Sequence, residues 1–215
     1  MFRKAQEWGK ALDNPVKHQR PLRVNNGRLR YLSLEEMQRL LAVADGVLHP
    51  ILIAALYTGL RRSELFRLTW QDVDFKRGLM RVLHTKNGEG REIPMTDILR
   101  DTLQQLPRRL NSDYVFPGKT GHGLVDIRKR FNRALREAGI EAFVFHDLRH
   151  TFASHLVMAG VDLMTVKEFL GHKDIKMTLR YAHLAPDYKC AAINRPDTYM
   201  DTRHKKGVTE SSVTP

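Results

Sequence analysis

The most informative run of residues in this chain spans positions 146–151 and reads His146-Asp147-Leu148-Arg149-His150-Thr151. On a helix that begins near Asp147, His146 and Arg149 project from one face close to the amino end, because they stand three positions apart. Backbone N–H groups and the helix dipole make that end favourable for anions. The run therefore predicts a helix that presents a histidine and an arginine to a phosphate group, with His150 as a packed, hydrogen-bonded helix residue.

Four other reactive side chains lie in short motifs on either side of this run. Arg61 follows a glycine turn in TGLRRSEL (58–65), and Lys86 lies at the tip of a predicted hairpin in TKNG (85–88). His172 closes LGH (170–172), and Tyr181 lies in RYAH (180–183). Together with the two residues of the central run, they supply the groups that cleavage of a phosphodiester requires without a metal.

Such cleavage needs a nucleophile, positive charge on the non-bridging oxygens and an acid for the leaving oxygen. Attack by the Tyr181 phenol on phosphorus would form a covalent phosphotyrosine, which stores bond energy and lets a 5′-hydroxyl reverse the step without ATP. The guanidinium forks of Arg61 and Arg149 match pairs of phosphate oxygens and stay charged. Lys86, at a mobile hairpin tip, can enter the minor groove and protonate the departing oxygen. The sequence thus predicts chemistry that needs no cofactor and no metal.

These motifs resemble those of the tyrosine recombinase (phage integrase) family, whose catalytic domain carries Arg, Lys, His-x-x-Arg, His or Trp, and Tyr in this order. The resemblance covers about residues 31–193 and implies the catalytic-domain fold that this family shares with type IB topoisomerases. It implies a site-specific DNA recombinase (integrase) that works through a 3′-phosphotyrosyl intermediate. Its partners would be double-stranded DNA and further copies of the same chain, in a homotetramer on paired DNA sites.

The same resemblance assigns roles to individual residues. It implies scissile-phosphate binding by Arg61 and Arg149, proton transfer assisted by His146, a hydrogen bond from His172 to a non-bridging oxygen, nucleophilic attack by Tyr181, general acid catalysis by Lys86 and structural support from Glu64. Lys76 and Arg91 lie close to Lys86 in the sequence and could be confused with it in this match, and Lys76 or His146 would be next in line as the acid.

Periodicity and turn signals predict a mainly α fold with a small antiparallel three-stranded β-sheet (α+β). Ser33 and Glu36 form a capping box that opens the first helix of the domain, and an apolar helix at 51–57 is followed by a second helix at 61–68. The sheet would pair 79–84 with 91–94, with 73–75 as its third strand. Later helices are predicted at 96–105, 126–138, 147–159, 163–170 and 176–183, with helix ends at Gly139, Gly160 and Gly171.

The formal charge of +12 points to a polyanionic partner, with nucleic acid ahead of an acidic membrane surface. Residues 1–30 contain eight Lys or Arg against two acidic residues, which predicts a short helix at about 5–12 followed by a basic linker. By the resemblance, residues 1–30 are the end of a truncated core-binding domain and its linker. Residues 31–193 would be the catalytic domain, and 194–215 a polar C-terminal tail.

Between Ile127 and Ala138, a predicted helix combines an apolar stripe with five cations, Arg128, Lys129, Arg130, Arg133 and Arg136. A solvated charged face is one interpretation of this pattern. Only one acid, Glu137, accompanies the cations, which favours contact with a DNA backbone. We therefore expect Arg128, Lys129, Arg130 and Arg133 to bind DNA.

Three alternatives stay open at this point. His146 and His150 imitate an H-E-x-x-H zinc motif with Asp147 in place of Glu, although Arg149 would set a cation beside the metal. The chain could also be a type IB topoisomerase-like enzyme or a DNA-binding protein with impaired catalysis. The apolar runs are too short to span a membrane, and Cys190 is the lone cysteine. We therefore expect a protein of a reducing compartment, and the resemblance implies a bacterial or phage-encoded protein of the cytoplasm, associated with the nucleoid.

Overall fold

Eight α-helices and one small antiparallel sheet make up the part of the chain that the computed structural model describes, residues 2–14, 29–83 and 90–186. The helices are α1 (Phe2–Glu7), α2 (Leu34–Val43), α3 (Leu48–Thr58), α4 (Arg62–Phe66), α5 (Asp97–Gln104), α6 (Arg128–Glu137), α7 (Asp147–Met158) and α8 (Leu163–Leu170). The strands are β1 (Val73–Asp74), β2 (Leu79–Val82) and β3 (Arg91–Pro94), and 3₁₀ helices span Trp70–Asp72, Ile175–Met177 and Leu179–Leu184. This architecture confirms the predicted fold class.

Helix α7 is the central element of the fold. It packs against α3, α8 and the last 3₁₀ helix, Leu179–Leu184, and most of its faces are covered. Leu148, Ala153 and Val157 are buried, and so are the polar residues Arg149 and His150. Because buried polar groups cost free energy unless they are hydrogen-bonded, these two side chains need partners inside the protein.

The sheet brings the strands together in the order β1-β2-β3, with Met80 opposite both Val73 and Ile93. Buried Met80 and Ile93 face the core, and β3 packs against α8. Strand β1 ends at Asp74, one residue earlier than predicted, because the Asp74 carboxylate accepts the N–H groups of the next turn. The connection between β2 and β3, which carries Lys86, lies outside the described residues, as does Cys190.

The predicted helix ends are largely confirmed. The Ser33 hydroxyl accepts the N–H of Glu36 and the Glu36 carboxylate accepts the N–H of Ser33, which completes the capping box of α2. Positive φ angles stop the helices at Gly139, Gly160 and Gly171. Across the described residues, no helix is long and apolar enough to cross a membrane.

Two helix predictions were wrong. The predicted helix at about 5–12 is instead Phe2–Glu7, because Gly9 adopts a φ of 64° and closes the helix with backbone bonds to residues before it. The predicted α-helix at 176–183 is a pair of 3₁₀ helices that meet at Thr178. The N–H groups of Thr178 and Tyr181 bond three residues back, at 2.8 and 3.0 Å, and this tighter winding accompanies the complete burial of both side chains.

Candidate active site

The structure brings together five of the six predicted reactive residues. They lie around one cleft of about 470 Å³, whose lining is Arg61, His146, Arg149, His150, His172, Lys176, Met177, Arg180 and Tyr181. The residues come from the turn before α4, from α7, from the turn after α8 and from the last 3₁₀ helix. The sixth residue, Lys86, lies outside the described part of the chain.

Arg149 is buried at the base of this cleft and bridges the ends of two helices. Its Nη1 donates to the Gly59 carbonyl at 2.7 Å, and its Nη2 donates to the Leu170 carbonyl. Both carbonyls lie at helix C-termini, whose partial negative charge stabilises a cation. Burial, followed by repulsion from Arg61, lowers the pKa of Arg149 to about 9, so the guanidinium is still charged at neutral pH. The two bonds leave three of the five guanidinium N–H donors for other partners.

Two glycine turns hold the carbonyls in this arrangement. Gly59 and Gly171 both adopt left-handed backbone angles, with φ of 62° and 61°. A Cβ atom on Gly59 would lie 2.3 Å from Cδ1 of Phe152, and one on Gly171 would lie 2.9 Å from Nη1 of Arg91. The turns therefore require glycine for both conformation and space. Each turn leads directly into a residue of the cleft, Arg61 in the first case and His172 in the second.

Glu64 holds Arg61 in position through hydrogen bonds to its backbone and side chain. Its carboxylate accepts the backbone N–H and the Nη1 of Arg61, both at 2.9 Å, and the Nη2 of Arg91 at 2.8 Å. Burial would raise the pKa of this carboxyl, but the hydrogen bond and charge of Arg91 and the hydrogen bonds from Arg61 hold it below its ordinary value. Glu64 is therefore a buried anion that is paired with two cations, as a charged group in a protein interior requires.

Sequence reasoning missed Arg91 as the partner of Glu64. Its Nε also donates to the Phe169 carbonyl at 2.8 Å, so the side chain joins β3 to the end of α8. The guanidinium of Arg91 is therefore held by bonds to Phe169 and Glu64, which argues against Arg91 as an alternative to Lys86 in the reaction. Lys76 lies in the turn between β1 and β2, at one end of the sheet. Arg91, which bonds Glu64, lies at the other end, at the start of β3.

The two histidines predicted for the site differ in their surroundings. The Nδ1 of His172 lies 2.9 Å from the Oγ1 of buried Thr178, which orients the ring and leaves Nε2 for the cleft. Burial, then the charges of Arg149 and Arg61, lower the pKa of His172 to about 3. His146 is more exposed, yet the protein atoms around it and then Arg149 lower its pKa as well. Both rings are therefore neutral at physiological pH.

Tyr181 is almost completely buried, and its hydroxyl lies 2.6 Å from the Nδ1 of His150. Burial raises the pKa of the phenol, an effect that Arg180 and Arg149 partly offset. Burial and then the charge of His146 lower the pKa of His150 to about 4. A neutral phenol thus faces a neutral imidazole. His150 was predicted as a packed, hydrogen-bonded residue, which is confirmed, but its partner was not foreseen.

The zinc alternative finds little support in this geometry. The rings of His146 and His150 stand edge to face with centroids 5.1 Å apart, and the Nδ1 of His150 is engaged by the Tyr181 hydroxyl. Zinc sites in proteins use at least three protein ligands. Within residues 2–14, 29–83 and 90–186, no group of three His, Cys, Asp or Glu side chains could hold a metal ion.

The exposed cations of α6 differ in their ion pairs. Arg130 forms an ion pair with Asp45, and Nη2 of Arg133 lies 3.1 Å from the same carboxylate. Arg128 and Lys129 are exposed and form no ion pair within the described chain. Arg128 also lines a second cleft of about 480 Å³ together with Arg62 and His146. The amino end of α6 therefore continues the positively charged surface of the site.

Acidification is expected to destabilise the folded protein through His150 and His172. Their folded-state pKa values of about 4 and about 3 lie below the ordinary 6.5, so between these values the unfolded chain binds more protons and stability rises with pH. Each histidine contributes at most about 1.4 kcal/mol per pH unit to this slope. Urea unfolding at pH 7 and pH 5 measures the loss of unfolding free energy on acidification, and His172→Asn should make this loss smaller. The same change at exposed His122 is the control, and equal stability of the unaltered protein at both pH values would contradict the prediction.

Comparisons with known proteins show which family the chain resembles. Residues 30–187 match the phage integrase family. The shufflon-specific DNA recombinase of Escherichia coli is 32% identical over 185 residues, with 83% of this chain and 46% of that protein covered. Tyrosine recombinase XerC of Staphylococcus epidermidis is 34% identical over 166 residues, with 70% and 56% covered. The catalytic domain of bacteriophage HP1 integrase has a TM-score of 0.64 at 34% identity, with 78% of this chain and 95% of that chain covered. This chain spans about half the length of the curated relatives it matches.

Proposed function

The chain belongs to the phage integrase family, and from this premise we propose that it is a site-specific DNA recombinase that cuts and rejoins double-stranded DNA. The reaction passes through a 3′-phosphotyrosyl intermediate and needs neither metal nor ATP. One observation carries the proposal: the buried Tyr181, the cations Arg61 and Arg149 and the neutral histidines His146 and His172 line the same cleft. The name of the Escherichia coli relative, a shufflon-specific DNA recombinase, points to the same substrate.

Each residue of the cleft has a defined task in this reaction. The Oη of Tyr181 attacks the scissile phosphorus, and the bond from phosphorus to the 5′ oxygen breaks. Arg61 and Arg149 hold the non-bridging oxygens and stabilise the additional charge of the transition state. Nε2 of His172 donates a hydrogen bond to one of these oxygens, and His146 assists proton transfer. Glu64 keeps Arg61 aimed at the phosphate through its two bonds to that residue.

Covalent trapping tests this function. Nicked suicide duplexes are built from paired inverted repeats sought by sequencing the DNA that flanks the gene. They are incubated with the protein in excess EDTA, and adducts are resolved on denaturing gels. A covalent protein–DNA adduct that forms in the presence of excess EDTA supports the proposal. DNA binding without an adduct favours a DNA-binding protein with impaired catalysis. Relaxation of supercoiled plasmid without recombinants favours a type IB topoisomerase-like enzyme.

The domain organisation and the assembly belong to the same proposal. Residues 1–30 are the end of a core-binding domain and a basic linker, 31–193 are the catalytic domain, and 194–215 are a polar tail. The buried core of the described residues begins at Leu32 and extends to Tyr181, which fits these boundaries. Exchange between two duplexes breaks four strands, and one nucleophile for each strand gives a homotetramer on paired sites. The protein works in the cytoplasm, where it reaches bacterial or phage DNA in the nucleoid.

Lys86→Ala should slow cleavage of ordinary DNA by a factor on the order of 10², because Lys86 protonates the leaving 5′ oxygen. A substrate with a 5′-thiolate leaving group needs no proton, so the variant should cleave it nearly as fast as the unaltered protein does. Single-turnover rates on both substrates measure this, with Lys76→Ala as the matched control. If the thiolate substrate fails to rescue Lys86→Ala but rescues Lys76→Ala, the acid is Lys76.

The cations of α6 are expected to contribute unequally to DNA affinity. Arg128→Ala and Lys129→Ala should each lower the log–log salt slope of binding by about 0.9, the amount for one phosphate contact. Arg130→Ala and Arg133→Ala should lower it less, because Asp45 already partly neutralises both cations. Fluorescence anisotropy between about 50 and 200 mM salt measures the slopes. Unchanged slopes in all four variants would place α6 away from the DNA.

A further inference from the structure

The hydroxyl of Tyr181 has a partner to which no role has been assigned in the reaction. The Nδ1 of His150 lies 2.6 Å from this hydroxyl, and no other side chain of the described residues forms a hydrogen bond with it. His146, the histidine expected to assist proton transfer, contacts His150 edge to face but makes no hydrogen bond to Tyr181 within the described chain. The nearest proton acceptor for the nucleophile is therefore His150.

The protonation states leave a simple arrangement for this pair. The phenol is neutral because burial disfavours phenolate, and the imidazole is neutral because burial and nearby positive charge disfavour imidazolium. A phenol is a good donor and a neutral Nδ1 with the proton on Nε2 is a good acceptor. The O–H of Tyr181 then donates to Nδ1 of His150 over a distance typical of a strong hydrogen bond. The phenolic proton, which Tyr181 must lose when it attacks, is therefore already hydrogen-bonded to Nδ1 of His150.

We propose that His150 accepts the phenolic proton of Tyr181 during strand cleavage and returns it during rejoining. The inference rests on the proposed recombinase function and names the proton acceptor of the same site. In cleavage, the Oη–phosphorus bond forms, the phosphorus–O5′ bond breaks, the phenolic proton moves to Nδ1, and the 5′ oxygen takes a proton from Lys86. In rejoining, each bond change is reversed: the 5′-hydroxyl returns its proton to Lys86, and His150 protonates the departing Oη of Tyr181.

The charges around His150 explain why this transfer accompanies attack on the phosphate. Its ring faces His146 and Arg149 on its own helix, Arg180 and Tyr181 on the last 3₁₀ helix, and His172 in the turn after α8. In the protein without DNA, the two arginines oppose a positive charge on the imidazole. A phosphate bound in the cleft that these residues line would bring negative charge. This charge increases in the transition state, so the imidazolium is stabilised as the proton arrives.

A pair of substitutions separates proton acceptance from simple packing. The side-chain amide of His150→Asn can occupy the position of Nδ1 and bond the phenol, but it cannot take up a proton at neutral pH. His150→Ala removes both the bond and the acceptor. Single-turnover cleavage of the nicked suicide duplex is measured from pH 5.5 to 8, with folding checked by thermal melting and DNA affinity by anisotropy. His122→Asn, at an exposed loop residue, is the matched control for the His-to-Asn change.

In the unaltered protein the rate should be nearly flat over this range, because the imidazole takes the proton directly from the phenol and no hydroxide from solvent is needed. His150→Asn should cleave about 10²-fold more slowly at pH 7, with a rate that climbs roughly tenfold per pH unit as the phenol loses its proton to solvent instead. An Asn variant with the rate and pH profile of the unaltered protein would overturn the proposal, even if His150→Ala were slow. A steep profile in His146→Asn alone would overturn it in favour of His146.

Two further outcomes keep the test decisive. If His150→Asn does not fold, the unaltered protein and His146→Asn decide: a flat rate in both supports His150 as the acceptor, and a tenfold rise per pH unit in either overturns the proposal. If the unaltered protein forms no adduct on any duplex, the recombinase function fails and the inference fails with it. An adduct formed by the unaltered protein and by His150→Asn at equal rates leaves the function standing and removes only the role of His150.

Discussion

Tyr181→Phe is expected to abolish the covalent protein–DNA adduct completely while DNA affinity stays nearly unchanged. Only the attacking oxygen is lost, and the aromatic ring keeps its place in the core. The loss leaves Nδ1 of His150 without its partner, which should cost about 1–3 kcal/mol of unfolding free energy. Denaturing gels on a nicked suicide duplex measure the adduct, and anisotropy on an intact duplex measures binding.

The matched control for this change is Tyr114→Phe, which removes a hydroxyl outside the cleft and should form the adduct at the normal rate. Adduct formation by Tyr181→Phe would move the nucleophile to another tyrosine, with Tyr188 next along the chain. Loss of DNA binding together with the adduct would show that the substitution damages the fold, and thermal melting distinguishes this outcome from a chemical one.

Much of this site could be predicted because its signals are local. Gly59 and Gly171 predict left-handed turns shortly before Arg61 and His172. The three-residue spacing of His146 and Arg149 predicts that both lie at the start of one helix. The capping box at Ser33 likewise involves neighbours in sequence, so its geometry follows from the backbone alone. These features depend on short-range conformational preferences that residue types express directly.

The missed features depend on contacts between distant parts of the chain. Arg91 meets Glu64 across 27 positions, and His150 meets Tyr181 across 31. No periodicity in the sequence selects these pairs, because they form only when the sheet packs on α8 and the last 3₁₀ helix packs on α7. The same tertiary packing favours 3₁₀ winding around Thr178, where residue propensity alone suggested an α-helix.

Arg61→Ala and Arg149→Ala should each slow cleavage by a factor of about 10² or more, because each removes a preorganised charge from the transition state. Their effects on stability should differ. Arg149 is buried and donates to the Gly59 and Leu170 carbonyls, so its loss leaves two buried acceptors unpaired at about 1–3 kcal/mol each. Arg61 is partly exposed, and Glu64 keeps its bonds to Arg91 when Arg61 is removed.

Arg149→Lys distinguishes the catalytic role of Arg149 from its structural one. A lysine keeps the positive charge, but its ammonium cannot span both carbonyls and a phosphate as the guanidinium fork does. Cleavage should therefore stay slow even where urea unfolding shows that part of the lost stability has returned. Single-turnover rates under conditions where every variant is fully folded measure this, with exposed Arg67→Ala as the control. Normal cleavage by folded Arg149→Lys would mean that charge alone is required at this position. Normal cleavage by folded Arg149→Ala as well would make Arg149 a purely structural residue that holds α3 and α8 together.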